Sequence, residues 1–231
     1  MSDFIKSFEK ILTADNLMKY LHGLEKTIII SALAVVIGIV IGVILAMVNY
    51  LHKKTGKLKF FSVLANIYIT IVRGTPVVLQ LLLLYYVVFT SMEPILVGAL
   101  TFGLNSSAYV AEIVRAGFES IDDGQREAGR SLGLSTGRTM WHIIIPQAIK
   151  NALPPLFNEF ITLIKETAIV GYVAVEDLSK VTDQIGGTTF NYIAPLVLSA
   201  SIYLGVVMLL TLALKKIEKK LSKSDRNGGK K

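Results

Sequence analysis

The chain has 231 residues, of which 52% are hydrophobic and only 18% charged, with a formal net charge of +7. Soluble domains carry about 25% charged residues and lack long apolar runs, so the composition excludes a soluble globule, a disordered chain and a collagen-like fibre, and indicates a polytopic, all-helical membrane protein. There is no cysteine, and the three histidines (His22, His52, His142) lie far apart, which leaves no disulfide framework, thiolate site or metal-ligand spacing.

Residues 1–26 balance Lys6, Lys10, Lys19 and Lys26 against Asp3, Glu9, Asp15 and Glu25. They lack the basic start, apolar core and small-residue cleavage site of a signal peptide, and read as a candidate interfacial helix. Ile28 to Val48 is an uncharged run of 21 residues, enough for one span, since about 20 cross a bilayer. Gly38 and Gly42, four apart on one face, permit close helix packing. Lys53, Lys54, Lys57 and Lys59 mark an inside loop. Phe60 to Phe89 reads as a second, broken span, interrupted by Arg73-Gly74-Thr75-Pro76. Pro94 to Gly117 is a third, Ala152 to Val175 a fourth and Ala194 to Leu214 a fifth. Glu176 to Thr189 reads as a polar outside loop, and no internal repeat is evident.

Five spans put the N-terminus outside and the C-terminus inside. The lysine loop, the Arg-containing stretch from Asp122 to Asn151 and the tail then all fall inside, as the positive-inside rule requires. From Lys215 onward there are eight Lys/Arg and two acidic residues, a cytoplasmic anchor touching membrane lipid rather than a nucleic-acid site.

Arg73 lies 13 residues past Phe60, roughly 20 Å along a helix and near the membrane centre. A lone cation there costs several kcal/mol unless paired. Gly74 and Pro76 weaken the helix at the same point. The broken helix could present backbone amides beside an arginine, a combination suited to a carboxylate, or it could be a plain kink with Arg73 in a structural ion pair. Glu159 and Glu166 are seven apart on one face of the fourth span. Glu159 could hold a cationic group of a ligand, or merely neutralise Arg73 or Lys165. Together, Arg73 and Glu159 would suit a zwitterionic amino acid. Asn66, Thr70, Gln80, Asn105 and Ser106 are weaker polar candidates, because hydroxyls often bond to their own helix.

The stretch from Asp122 to Asn151 reads as two short helices broken at Gly133, with Ser135 as N-cap of the second. Trp141 and Met140 on a short helix suggest a protein contact, the alternative being a membrane-surface helix. Glu127-Ala128-Gly129, then Gly133, then Ile143-Ile144-Ile145-Pro146 resembles the Glu-Ala-Ala…Gly…Ile-x-Leu-Pro signature of ABC importer permease subunits, with Gly129 for Ala and Ile145 for Leu. Arg73-Gly74-Thr75-Pro76, Tyr109-Val-Ala-Glu112-Ile-Val-Arg115-Ala-Gly, Pro146-Gln147-Ala148 and Leu153-Pro154-Pro155 resemble the polar amino acid permease subfamily, with the likeness running from about residue 20 to 215.

That resemblance implies a type I ABC importer fold in a bacterial cell membrane. Residues 27–215 would form the transmembrane domain, 120–150 its coupling loop and 216–231 a basic tail. It implies two permease subunits, identical or paralogous, two ATP-hydrolysing subunits beneath them, and an extracytoplasmic solute-binding protein. Glu127, Ala128, Gly133, Ser135, Arg138 and Trp141 would meet the ATPase. No Gly-x-x-x-x-Gly-Lys-Ser/Thr loop occurs, so ATP would bind the partner, and neither an enzymatic role nor a cofactor is expected of this chain. Arg73, Gly74 and Thr75 would take the cargo carboxylate and Glu159 its cation, favouring a basic amino acid, with glutamine or another polar amino acid as the alternative. An intramembrane enzyme would need a base at depth, and only Glu112, Glu159 and Glu166 are at hand. A purely structural subunit would leave the fracture at Arg73 without a role.

Overall fold

The structure, a computed structural model, describes residues 2–228, with side chains described from 7 to 221; the last three residues of the basic tail lie outside the described residues. Helices make up the whole described architecture. In chain order they are α1 (Ser2–Ile11), α2 (Ala14–Thr55), α3 (Lys59–Gly74), α4 (Val77–Leu83, extended by a π-helical turn Leu84–Val88) and α5 (Pro94–Glu119). After these come α6 (Asp123–Ser131), α7 (Thr136–Thr139, followed by a π-helical turn Met140–Ile144), α8 (Ile145–Glu166, followed by a 3-10 stretch Thr167–Val173), α9 (Leu178–Thr189) and α10 (Ile193–Gly228).

Helices α2, α5 and α10 each have the length and hydropathy of a span, and α3 with α4 and its π turn do so together across a short break. α8, with two prolines and the charges Glu159, Lys165 and Glu166, falls short of that hydropathy. The first span is longer than its apolar run because its polar ends continue as helix. Thr13 caps α2, its Oγ1 accepting from the Asn16 N–H at 3.3 Å.

The chain divides into two compact units. Among the described residues, the first comprises 2–36, 75–103 and 160–211. One of its cores is built on Ile30, Leu81, Phe102, Leu163 and Val170, and a second on Ile11, Tyr20, Leu178, Val181 and Ile185. The expected polar loop from Glu176 to Thr189 is corrected here: Leu178–Thr189 is a helix. Leu178, Val181 and Ile185 share one buried face, a three-and-four spacing inside an otherwise polar segment. Asp177 caps it, accepting from the Lys180 and Ser179 N–H groups at 2.9 and 3.1 Å. Phe8 and Ile11 of α1 pack in the same core, and Asn191 Nδ2 donates to Ser7 Oγ at 2.8 Å, so the N-terminal helix is docked on protein.

Among the described residues, the second unit comprises 37–74, 104–159 and 212–228. Here α2 packs on α5, where Gly42 faces Val110 and the Ser107 carbonyl so closely that a Cβ would lie 2.6 Å from Val110 Cβ. Helix α3 lies on the small residues Ala108 and Ala111 through Tyr68, Ile69 and Val72. The Tyr68 hydroxyl fixes that contact, lying 2.8 Å from both the Leu104 carbonyl and Ser107 Oγ.

Candidate functional site

Within the second unit, the α3–α5 contact delivers Arg73 to the face of α5 that carries Tyr109 and Glu112. Its guanidinium carbon lies 5.3 Å from the centre of the Tyr109 ring, a cation–π distance, and its Nη1 lies 3.8 Å from Glu112 Oε2. That carboxylate is held far more tightly by Arg115, whose Nη2 and Nε donate at 2.8 and 3.2 Å. The Arg73 pair is therefore the loose one. With 44% of its side chain exposed, Arg73 retains donors for a further anion. Glu112 and Tyr109 belong to this candidate site although sequence reasoning does not single them out for it. Their three-residue spacing with Arg115 places all of them on one face of α5, and that spacing is the available signal.

Glu159 on α8 accepts a hydrogen bond from Ser106 Oγ of α5 at 2.8 Å. Ser106 is fully buried and Glu159 half-buried. A carboxylate offers about four acceptor positions, so one hydroxyl leaves capacity for a cation. Neighbouring Asn105 is buried on the same helix.

The remaining candidates are placed elsewhere. Asn66 Oδ1 accepts from Asn49 Nδ2 at 3.0 Å, on the α2 side of α3 two turns before Arg73. Thr70 Oγ1 bonds to the Asn66 carbonyl of its own helix at 2.8 Å. Gly74 ends α3 in open space, and a Cβ there would meet nothing within 4 Å. In the first unit, Gln80 Nε2 donates to the Thr75 carbonyl at 3.1 Å and to its Oγ1 at 2.9 Å, tying the start of α4 to the residue before Pro76.

The loop helices α6 and α7 form a second candidate surface in the second unit. Asp122 caps α6 through the Gly124 N–H at 2.7 Å, and Ser135 Oγ accepts from the Arg138 N–H at 3.4 Å. Gly133 turns the chain between them at φ +78°, which a side chain would strain. Glu127, Ala128, Gly133, Ser135, Arg138 and Trp141 are all exposed. Leu132 and Trp141 are 80% and 68% exposed, the large apolar side chains of this surface. Gly129 is buried against Thr139, whose side chain fills the space an alanine would need.

The family of binding-protein-dependent transport system inner membrane components matches residues 27–223. The chain is 37% identical over 209 residues to the arginine transport system permease protein ArtQ of Bacillus subtilis (strain 168), covering 89% of this chain and 93% of that one. It is 40% identical over 210 residues to a Rickettsia bellii (strain RML369-C) protein named for glutamine transport system permease GlnP, covering 88% and 94%. Among solved structures, one described as an amino acid ABC transporter with histidines superimposes with a TM-score of 0.83 at 37% identity, covering 89% of this chain and 95% of that one. The MetNI methionine ABC transporter in an inward-facing form gives a TM-score of 0.76 at 20% identity, over 91% and 99% of the two chains, a likeness of fold.

Proposed function

Because the chain belongs to the family of binding-protein-dependent transport system inner membrane components, a multi-pass membrane transport component with the type I ABC importer fold, we propose that it carries an amino acid zwitterion past Arg73 and Glu159. The observation that supports this most is the unequal holding of the charges. Among the described residues, Arg73 has a 3.8 Å pair and Glu159 a single hydroxyl, whereas Arg115 and Glu112 satisfy each other at 2.8 Å. A guanidinium and a carboxylate with spare hydrogen-bonding capacity are what an α-carboxylate and an ammonium need. The charge of Glu159 favours a basic amino acid, in keeping with the arginine relative; the glutamine relative supplies the alternative.

In this reading the exposed α6–α7 surface seats on a separate ATP-hydrolysing subunit, with Leu132 and Trp141 as apolar anchors and Glu127 and Arg138 at the rim. A second permease subunit completes the path and an extracytoplasmic binding protein delivers cargo. The N-terminus lies outside and the C-terminus inside, with five spans. ATP drives transport only by favouring one conformation over the other, since equal binding to both would shift nothing.

The test is uptake by the assembled transporter in proteoliposomes. Glu159→Gln is expected to lower arginine and lysine uptake at least about tenfold, as removal of one charged interaction of about 1.4 kcal/mol would do. A comparable fall in glutamine uptake would place the α-ammonium on Glu159, and a much smaller one the side-chain cation of a basic amino acid. Unchanged arginine and lysine uptake would remove Glu159 from the site, and loss of glutamine uptake alone would favour the alternative cargo.

A further inference from the structure

One face of α5 carries more charge than holding a single cargo molecule requires. Glu112, Arg115 and Glu119 stand at three- and four-residue spacing, spanning about 10 Å of helix. They form a continuous series of pairs. Arg73 meets Glu112 at 3.8 Å, Arg115 meets Glu112 at 2.8 Å and Glu119 at 2.5 Å, and Lys53 from the end of α2 meets Glu119 at 3.0 Å. The signs alternate along the whole series, from the break in α3 to the lysine end of α2.

The series opens into two cavities of the second unit. One, of about 500 Å³, is bordered by Glu112, Arg115, Ser120 and Asn151. The other, of about 520 Å³, lies between the end of α2, the start of α3, the end of α5 and α6. Lys53, Lys54, Arg115 and Arg126 line it against Glu119 and Asp123, and Asn49 and Asn66 add neutral polar groups. Both volumes fall in the range of about 300–1,000 Å³ that holds small ligands. Arg115 borders both cavities.

We propose that this larger cavity is a second cargo station, a release site on the α6 side that receives the amino acid zwitterion from Arg73 by exchange of ion pairs along Glu112, Arg115 and Glu119. The proposal rests on the zwitterion reading above and on its topology, which puts this end inside. A cargo carboxylate moves from Arg73 to Arg115 and then to Lys53 or Arg126, while its ammonium moves to Glu112 and then Glu119. At each step one pair replaces another, so neither the cargo nor the protein leaves a charge unpaired where water is scarce. A wall of one sign would trap one end of a zwitterion and repel the other. The mixed wall allows entry without a deep well, and Lys53 and Glu119, 74% and 45% exposed, place its far end in contact with solvent.

The same cations could hold a lipid phosphate, the shared chemistry being an anionic oxygen group. The test uses the assembled transporter, with its ATPase and loaded binding protein, in proteoliposomes. It compares Glu119→Gln, Lys53→Gln, Lys53→Arg and Glu159→Gln by uptake per ATP hydrolysed. Glu119→Gln and Lys53→Gln leave Arg73, Glu112 and Arg115 in place. Each is expected to cut uptake per ATP about tenfold, equivalent to one added barrier step, while ATP hydrolysis persists and Lys53→Arg restores uptake. The proposal is overturned if uptake per ATP is unchanged in both, or if uptake and hydrolysis fall together, as a merely structural ion pair would cause. It is also overturned if the deficit vanishes in vesicles without anionic lipid, which would assign the cavity to a headgroup. A deficit in Glu159→Gln alone defeats the release site and keeps the upper grip. A deficit in the Glu119 and Lys53 variants with Glu159→Gln unaffected defeats the upper grip and keeps the release site.

Discussion

Gly129→Ala adds one methyl group inside the α6–α7 loop, and the surroundings set its cost. A Cβ at this position lies 2.6 Å from Thr139 Cγ2, 2.9 Å from its Oγ1 and 3.2 Å from Ile143 Cδ1. Carbon pairs rest at about 3.5–4.0 Å, so Thr139 must retreat by about 1 Å. It is buried and sits in a four-residue helix, which leaves it little room to do so. Over-packing of this kind costs about 1–3 kcal/mol, against which alanine returns up to about 1 kcal/mol of helix propensity. A net destabilisation of about 1 kcal/mol lowers the unfolding midpoint by about 2–4 °C in a chain of this size. Thr139→Ala removes both close atoms. Thermal unfolding of the purified transporter should therefore show Gly129→Ala destabilised, and the Gly129→Ala/Thr139→Ala pair more stable than the sum of the single effects by about 1 kcal/mol or more. Additive effects, or a Gly129→Ala protein as stable as the parent, would refute the packing argument. A confirmed coupling would explain why this chain departs from alanine at the third position of the Glu-Ala-Ala signature: Thr139 occupies the space that the alanine methyl would fill.

Three further outcomes follow from the same packing and charge arrangement. Gly42→Leu should abolish assembly, judged by gel filtration, because even its Cβ would meet Val110 and the Ser107 carbonyl at 2.6–2.7 Å; normal assembly would mean that α2 and α5 are not locked at this point. Leu132→Ser combined with Trp141→Ala should weaken co-purification of the ATPase at least about tenfold without lowering the permease's own thermal midpoint, as expected of apolar anchors at an interface; retained ATPase would place the docking surface elsewhere. Burial pushes the Asp177 carboxyl up to about 6, against the pull of the Lys180 and Ser179 N–H groups. The folded state therefore binds the proton more readily than the unfolded state, whose pKa is near 3.8. Stability contributed here rises as pH falls from about 6 toward 4, by up to a few kcal/mol. Asp177→Asn should remove that part of the pH dependence while the neighbouring Lys26–Glu176 ion pair, at 3.3 Å, remains, and an unchanged profile would contradict the buried ionisation.

The apolar spans were legible because a bilayer demands a minimum run of hydrophobic residues, and Ile28 to Val48 or Pro94 to Gly117 could hardly be read otherwise. The break at Gly74 and Pro76, the cap at Ser135 and the turn at Gly133 were legible because each depends on local backbone chemistry. Helix α9 was not, because only Leu178, Val181 and Ile185 are apolar on one face, and polar neighbours mask a stripe that narrow. The pairing of Arg73 with Glu112 was hidden for a different reason: it joins α3 to α5, and partner choice across helices is settled by packing at Ala108 and Ala111, which sequence spacing does not encode. The placement of Asn66 against Asn49 belongs to the same class.

The most direct measurement is mass spectrometry of the small molecules released by the purified, ATPase-bound transporter, with parent, Arg73→Gln and Glu159→Gln prepared in parallel. The expected result is one basic amino acid released from the parent and about tenfold less or lower still from both variants. Equal release from all three proteins would contradict the assignment of Arg73 and Glu159 as the groups that hold the cargo.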